Sequence, residues 1–506
     1  MKKNYFKGLS ILFLSLFVSV TTYAQLGTTT FNIASDNGVN YSGTWNDGSN
    51  LGTGFGTWTL TSTGGGSYVG GTGQGADSFG LFSNGSGNFG AAERNLSSTL
   101  KRGETISLNL GHTVTINGEI FLQLLDNGTP VFTLKFVSGT SDWQINDGGS
   151  DFAIGQPYAA NTSLAFSFTY NEDGTYSYTF GAAIGNNFSP NNTISGINGI
   201  KLQSTNQGAG ENFGFNNLNI ESKYTIAENS TVASDADITV PYLDVQTGST
   251  LNIGTTSGVL VSGDLNVDGA LNIASGSSLR VNGSSTGNVT YTRNLTTGSQ
   301  WYLMSSPVNG ETYDNDWVTA NGIASGSDFG TNRGISTYDN SSFTTPNVAG
   351  SAGHWRYMQA GGGATFMPAQ GYGIIRTATG NVSFTGEVRT ADVPFTLTQG
   401  VQNVNFVGNP FTAFVTLGTI HTKNTTNIGT NFYFWDGSQY VTRTSGNDPT
   451  YEIAPGQGFF VDATSTNIIT FETSDLSHQG DTFQKSANTR PEIDIIIAKG
   501  DNRRSA

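Results

Sequence analysis

The sequence predicts an all-β protein with an N-terminal β-sandwich, a short β-solenoid and a duplicated, sandwich-like C-terminal β region. Composition is the first indication, because 68 glycines with 12% charged residues disfavour long solvated helices and suit short strands joined by turns. The second is alternation of apolar and polar residues along several segments. The third is internal repetition in the second half of the chain. Aromatic residues, at 11%, supply apolar anchors that disordered segments lack.

Residues 1–24 have the features of a secretory signal peptide. Lys2, Lys3 and Lys7 precede an apolar run from Leu9 to Val20, and the segment ends at Ala24. We therefore expect cleavage near Ala24 and an extracellular mature chain. No later stretch approaches the roughly 18 consecutive apolar residues that a spanning helix needs, so the sequence predicts no transmembrane helix in the mature chain.

Charge and cysteine content exclude several classes of function. The formal net charge of -15 argues against nucleic acid as a partner, because phosphate-backbone binding is driven by clustered Lys and Arg. The chain has no cysteine, which excludes disulfides, thiolate metal sites and a cysteine nucleophile.

Residues 25–222 are expected to form the sandwich. The segment from Thr105 to Leu110 alternates cleanly, and Asp126-Asn127-Gly128 predicts a hairpin turn between two further strands. Many such strands with short turns are typical of a two-sheet sandwich.

Several segments of this region resemble a lectin-like, concanavalin-like jelly-roll module of secreted bacterial proteins. The matching residues are Gly48 to Trp58, Phe79 to Phe82, Ala91 to Arg94 and Leu100 to Thr105. The resemblance implies a jelly-roll fold and a binding or accessory role rather than a catalytic one.

Residues 223–287 predict a short β-solenoid spacer. Apolar pairs of the L-x-V or L-x-I type recur every five to eight residues, as at Leu243/Val245, Leu251/Ile253 and Leu265/Val267. Each pair places two side chains on one face, and intervening Gly, Ser, Asn and Asp residues turn the chain. A run of hairpins is the alternative.

Residues 288–480 contain a duplication. The segment from Pro368 to Tyr372 recurs as Pro455 to Phe459, and Val382-Ser383-Phe384 recurs as Ile469-Thr470-Phe471 at the same offset. Two related β lobes are the expected structure.

This region also resembles a recurrent segment of type IX-secreted surface proteins of Bacteroidetes-type bacteria. Trp301 to Pro307 matches W-x-L-x-S-S-P, Gly408 to Phe411 matches G-N-P-F, and Ala454 to Val461 matches A-P-x-Q-G-F-F-V. The resemblance implies display at the outer-membrane surface through the type IX export machinery, which acts on a C-terminal sorting domain. Residues 481–506 match the start of a further β segment, so we expect that segment to be truncated and the sorting domain to be missing.

Catalytic motifs find little support. Gly85 to Gly90 matches G-x-G-x-x-G and Gly283 to Gly287 matches G-x-S-x-G, but neither lies in the strand-to-helix unit that a nucleotide site or a nucleophile elbow requires. The four histidines are scattered, without metal-ligand spacing. We therefore predict that the protein is not an enzyme.

Two oxygen-rich loops are candidate calcium sites. Asp47 and Asn50 lie in one loop, and Asp147 and Asp151 lie in the other. Carboxylate, amide and backbone oxygens are the ligands that Ca²⁺ prefers. Asn-Asp-Gly is also common turn chemistry, which is the alternative interpretation.

The candidate glycan site combines an aromatic ring with polar neighbours: Asp142, Trp143, Asn146 and Asp147. A sugar presents a C–H face to an aromatic platform and hydroxyls to amides and carboxylates. The alternative is that Trp143 anchors the sandwich core. For Trp301, Trp435 and Phe459 the motif positions favour core.

The function predicted from these features is a secreted or surface-displayed, non-catalytic binding or adhesion protein, with a glycan or surface polymer as ligand. Two alternatives stay open. One is an accessory region of a secreted polysaccharide-degrading enzyme, and the other is a structural stalk or matrix protein.

Overall fold

The computed structural model describes residues 30–41, 44–114, 116–325, 331–341, 351–478, 496–499 and 502–505. The predicted signal peptide, residues 1–24, lies outside the described residues. Of the predicted further β segment, residues 481–506, two short strands are described, and they pair antiparallel: Ile496–Lys499 and Asn502–Ser505.

The N-terminal part is the predicted jelly-roll sandwich of two antiparallel sheets. Its strands are β1 (Phe31–Asp36), β2 (Phe55–Thr63), β3 (Gly65–Gly70), β4 (Ser78–Ser83), β5 (Phe89–Leu100), β6 (Thr105–His112), β7 (Glu119–Asp126), β8 (Thr129–Val137), β9 (Asp142–Asn146), β10 (Phe152–Pro157), β11 (Leu164–Tyr170), β12 (Tyr176–Phe180), β13 (Ala183–Phe188), β14 (Ile197–Thr205) and β15 (Asn212–Ser222). The first sheet has the order β3-β4-β15-β6-β11-β12-β13, with β1 also beside β15. The second has the order β2-β5-β14-β7-β8-β9-β10. A 3₁₀ helix, Gly38–Tyr41, follows β1.

Period-two alternation decides which side chains fill the sandwich. In β6, Ile106, Leu108 and Leu110 are buried, and the residues between them face outward. The predicted hairpin joins β7 to β8, where Asn127 has φ 50° and Gly128 has φ 80°. Positive φ at both central residues is the type I′ geometry that suits the twist of paired strands.

The middle part is the predicted solenoid. Its strands are β16 (Thr225–Ile226), β17 (Ser230–Val232), β18 (Asp237–Val240), β19 (Leu243–Val245), β20 (Thr250–Ile253), β21 (Gly258–Val261), β22 (Leu265–Val267), β23 (Ala270–Ile273), β24 (Ser278–Val281) and β25 (Ser285–Thr286). They form three parallel faces, with the orders β16-β19-β22-β25, β17-β20-β23 and β18-β21-β24. Each apolar pair of the sequence therefore occupies one face, and three pairs complete a turn. Leu251 lies directly beside Leu271, one turn further on, and both are buried.

Polar contacts join the sandwich to the solenoid. Lys101 of the sandwich forms an ion pair with Asp244 of the solenoid. The Tyr242 hydroxyl donates to Glu104 across the same junction, at 3.0 Å.

The C-terminal part consists of two lobes. Its elements are β26 (Val289–Leu295), β27 (Trp301–Met304), β28 (Val308–Asn309), β29 (Thr312–Tyr313), α1 (Asn315–Ala320), β30 (Asn332–Tyr338), β31 (Ser351–Ala352), β32 (Trp355–Gln359), β33 (Ala364–Thr365), β34 (Tyr372–Ile375), β35 (Gly380–Val388), β36 (Val393–Thr396), β37 (Val404–Gly408), β38 (Phe414–Thr416), α2 (Leu417–Lys423), β39 (Ile428–Trp435), β40 (Tyr440–Thr444), β41 (Glu452–Ile453), β42 (Gly458–Ala463), β43 (Ile468–Phe471) and β44 (Leu476–Ser477).

The sheet orders of the lobes confirm the predicted duplication. The first lobe has the order β27-β34-β30-β32-β31, and the second has the order β37-β42-β39-β40. The first four strands correspond one to one, and a short helix follows the first strand in each lobe. β26 and β35 extend one solenoid face, so the first lobe continues directly from the solenoid.

The lobes contact each other reciprocally through the duplicated motif. Met304 of the first lobe bridges Gln457 of the second, and Gln370 of the first lobe bridges Val407 of the second. Beside these bridges, the rings of Phe406 and Phe460 stack with centroids 4.5 Å apart. The glutamine of each motif therefore fixes its own lobe against the first strand of the other.

Candidate functional site

The strongest candidate site is a groove over the first sheet of the sandwich, with a cavity volume of about 510 Å³. Its floor follows from strand register. Ser35 of β1, Asn219 of β15, Ser107 of β6 and Ser167 of β11 are consecutive cross-strand neighbours, and all four point outward. These four positions therefore carry hydroxyls and one amide, and the Asn219 amide donates to the neighbouring carboxylate of Glu221 at 3.1 Å.

A β-bulge shapes one wall of the groove. The register of β15 against β6 shifts between Asn216 and Asn219, and Asn217 has φ 54°. Such a left-handed backbone conformation is uncommon for a residue other than glycine. Bulges commonly change the direction of side chains beside functional sites. The Asn216 amide is buried and accepts a hydrogen bond from the Gly38 backbone at 2.9 Å, which holds the 3₁₀ helix against the bulge.

Three asparagines in the groove keep their side-chain amides available. Within the described residues, the amides of Asn32, Asn40 and Asn109 make no hydrogen bond to a protein group, and all three line the cavity. A free amide offers two donors and an acceptor with two lone pairs. These amides can therefore bind a ligand that carries neighbouring hydroxyls.

The groove has one carboxylate in its lining, and that carboxylate is neutralised. Asp36 is buried, pairs with Arg94, and accepts from the Tyr41 hydroxyl at 2.8 Å and from Trp58 Nε1 at 3.2 Å. Burial lowers the pKa of Arg94, and the neighbouring Asp36 opposes that shift. The described residues that line the cavity therefore carry no uncompensated charge.

The structure places Trp143 in the core, so the predicted aromatic platform is not formed by this residue. Its side chain is 2% exposed and packs on Phe180 and Phe136, with ring centroids at 4.7 and 5.8 Å. Alternation along β9 turns Trp143 and Ile145 inward. Asp142 lies on the outward face of the same strand, away from the groove.

Asn146 and Asp147 serve the turn after β9. The Asn146 amide donates to Gly149 O at 3.0 Å and to Asp151 at 2.8 Å. Asp147 is buried, and its two carboxylate oxygens accept from the Tyr176 hydroxyl at 2.8 Å and from the Asn191 amide at 2.7 Å. The residues predicted to bind a glycan here therefore stabilise the loop.

The predicted calcium ligands are likewise held by protein groups. Asp151 forms an ion pair with Lys135 at 2.7 Å, and Asp47 accepts from the Leu60 backbone at 2.8 Å. Asn50 accepts from Arg94 at 2.7 Å and donates to Phe55 O at 2.8 Å. Among the described residues, no group of three or more His, Asp or Glu side chains is arranged to hold a metal ion.

The two glycine motifs lie in strand connections. Gly85 to Gly90 spans the turn from β4 into β5, and Gly283 to Gly287 lies around β25 of the solenoid. No α-helix begins at either motif in the described residues.

Trp301 and Trp435 depart from the core position that their motifs suggest. Both are partly exposed, and both line a cleft between the two lobes. Phe459, by contrast, is fully buried in the second lobe, as predicted.

The sequence analysis did not identify the three asparagines of the groove, although one pattern places Asn109 on an outward face. Alternation from Thr105 to Leu110 places Ser107 and Asn109 on the outward face. Asn32 and Asn40 belong to a different segment, and no pattern along the chain links them to β6.

No family model and no curated protein matches the sequence. Among solved structures, the chain is similar to a sialidase at 12% identity and TM-score 0.27, over 33% of this chain and 17% of that protein. It is similar to the T. cruzi calreticulin globular domain at 10% identity and TM-score 0.25, over 32% and 82% of the two chains. It is also similar to the Caenorhabditis elegans galectin LEC-6 at 14% identity and TM-score 0.20, over 25% and 88%.

Proposed function

We propose that the protein is an exported, non-catalytic glycan-binding protein whose sandwich groove takes a neutral oligosaccharide. The observation that carries this proposal is the convergence of three free asparagine amides, from β1, the 3₁₀ helix and β6, on one groove. Its volume of about 510 Å³ lies within the roughly 300 to 1,000 Å³ of ligand pockets. Amides satisfy both the donor and the acceptor capacity of sugar hydroxyls.

The neutrality of the groove favours an uncharged glycan. Arg94 compensates Asp36, and the other polar residues of the lining are amides and hydroxyls. An acidic glycan would find no free cation there among the described lining residues, and binding it would cost desolvation of its carboxylates.

The same lining supports binding rather than hydrolysis. Glycoside hydrolases use two carboxylates about 5 to 10 Å apart, one of which donates a proton. Asp36 is the one carboxylate among the described residues of the groove, and Arg94, Tyr41 and Trp58 already occupy it.

Export and surface display belong to this proposal and are supported by the sequence. The signal-like residues 1–24 and the motifs Trp301 to Pro307 and Ala454 to Val461 suggest delivery to the outer-membrane surface by the type IX machinery. None of the helices in the described ranges has the length and apolar character needed to cross a bilayer.

A glycan array with the mature chain, residues 25–506, tests the proposal. We expect saturable binding to neutral oligosaccharides, reduced roughly tenfold or more by Asn109→Ala combined with Asn40→Ala, since each lost hydrogen bond is worth about 1 kcal/mol. Asn95→Ala is the matched control, because Asn95 is exposed on the opposite sheet. Parallel arrays with calcium and with a chelator establish whether the ion contributes. A folded protein that is silent across the array would overturn the proposal and favour the structural stalk.

A further inference from the structure

A second surface has the character of a binding site. It is a cleft of about 220 Å³ between the outer face of the first lobe's sheet and the end of the second lobe. Three tryptophans and two tyrosines line it, and each of them is partly or largely exposed. The set is Trp301, Trp355, Tyr357, Trp435 and Tyr440. Contiguous exposed apolar patches mark interaction sites and ligand-binding grooves.

The cleft exists because two small residues occupy the centre of the sheet. Leu303, Gly373, Ser336 and Tyr357 are consecutive cross-strand neighbours on β27, β34, β30 and β32. A Cβ atom on Gly373 would lie 2.8 Å from Ser336 Oγ, 3.4 Å from the Trp301 ring and 3.5 Å from the Trp355 ring. The two indoles therefore flank a gap that any larger residue at position 373 would fill.

The second lobe forms the remaining wall of the cleft. Trp435 and Tyr440 are directly opposite each other on β39 and β40, with ring centroids 5.1 Å apart. Tyr440 is 48% exposed. Trp435 Nε1 is buried and has no hydrogen-bond acceptor among the described residues. An unsatisfied buried donor beside an open cleft is a place where a ligand oxygen would be stabilised.

We propose that this cleft binds one ring of a neutral sugar. The faces of indole and phenol rings carry a negative quadrupole, which attracts the C–H bonds on the flat face of a pyranose. Ser336 lines the cleft, and its Oγ can meet a hydroxyl at the edge of such a ring; Trp435 Nε1 can do so where the bound ring brings an oxygen within its reach. This inference rests on the proposed glycan-binding function but uses a different surface of the molecule.

The charge of the cleft lining and the volume of the cleft restrict the class of ligand that can bind there. Among the described lining residues none is charged, so a neutral ligand is favoured over a uronate or a sulfated sugar. The cavity has room for about seven water molecules, at roughly 30 Å³ each. That space suits one sugar ring. A proline-rich peptide also binds to aromatic residues, but it requires an extended groove, so this compact cleft suits it less well.

The test compares variants of the full mature chain in titrations followed by tryptophan fluorescence and calorimetry. Tyr440→Ala removes an exposed wall, and Ser336→Val fills the gap while keeping all five aromatic rings. Met367→Ala is the control, because Met367 is 61% exposed in the same region but lies outside the cleft. The probes are neutral oligosaccharides and hexaproline.

We expect a sugar-dependent fluorescence change that Tyr440→Ala weakens roughly tenfold, that Ser336→Val abolishes, and that Met367→Ala leaves intact. Asn109→Ala distinguishes the two binding sites. This substitution should weaken binding at the sandwich groove and should leave the fluorescence change, which reports on the cleft, unaltered. Sugar binding that is insensitive to both cleft variants overturns the inference while the groove proposal survives. Saturable binding of hexaproline without any sugar response also overturns it.

Discussion

Arg94 and Asp36 form an ion pair in which both side chains are completely buried in the sandwich. The Arg94 guanidinium also lies over the rings of Phe55 and Trp58, at 4.6 and 4.4 Å from their centroids. Asp36 in turn lines the groove, so this pair links core stability to the neutrality of the candidate site.

Removing one partner of this pair should be strongly destabilising. Asp36→Asn leaves the Arg94 charge buried without compensation, which typically costs about 3 to 5 kcal/mol. We expect a lower midpoint for the unfolding transition of the sandwich, measured by calorimetry. Asp77→Asn is the control, because Asp77 is exposed and its carboxylate makes no hydrogen bond among the described residues. Equal midpoints for the two variants would contradict the role assigned to the pair.

Much of the fold could be predicted because its determinants are local. Apolar pairs such as Leu251 and Ile253 predict a solenoid face, and Asn127-Gly128 predicts a hairpin turn. The duplicated Gln370 and Gln457 motifs predict two related lobes, since repeated sequence folds into repeated structure. In each case the interacting residues are close in sequence or repeat at a fixed interval.

The site residues could not be predicted, because they meet through distant pairings. Asn40 and Asn109 come from segments that only the sheet order of β1, β15 and β6 brings together. Trp143 has the composition of a glycan platform in sequence, yet the alternation of β9 buries it. Trp435 has a motif position typical of core, yet the packing of the lobes leaves it at an open cleft.

Trp143→Ala should act on stability and not on a binding platform. A fully buried tryptophan truncated to alanine typically costs about 3 to 5 kcal/mol, and Trp143 is 2% exposed. We expect a large drop in the thermal midpoint of the sandwich. Gln144→Ala, at the neighbouring outward position, should leave the midpoint nearly unchanged. A stable Trp143→Ala variant that has lost glycan binding would instead restore the platform interpretation.

The solenoid should depend on its stacked leucines. Leu271 is 1% exposed and lies against Leu251 of the previous turn. Leu271→Ala removes buried surface and leaves a cavity, at a cost of about 2 to 5 kcal/mol, whereas Leu271→Met should cost less than about 1.5 kcal/mol. Denaturant unfolding followed by circular dichroism measures the difference. If both variants unfolded alike, the stacking of turns would not be what stabilises this region.

The junction between sandwich and solenoid should respond to pH through Glu104. Burial raises the pKa of this carboxyl from its ordinary 4.5 to about 7, although its carboxylate accepts from the Lys101 backbone at 2.8 Å and from the Tyr242 hydroxyl at 3.0 Å. Because the folded-state pKa lies above the unfolded one, the folded protein holds this proton more tightly. The contribution of Glu104 to stability is therefore fully present below about pH 4.5 and is lost as pH rises through 7, by roughly 3 kcal/mol in all.

Unfolding measured at intervals between pH 5 and pH 8 tests this dependence. Glu104→Gln cannot lose a proton, so it should flatten the decline between pH 5 and 7 and make the protein more stable than the wild type at pH 8. Glu228→Gln is the matched control, because Glu228 is exposed in the solenoid and its carboxylate makes no hydrogen bond among the described residues. A wild-type stability that rises from pH 5 to 7, or a decline that persists in Glu104→Gln, would show that other groups govern the junction.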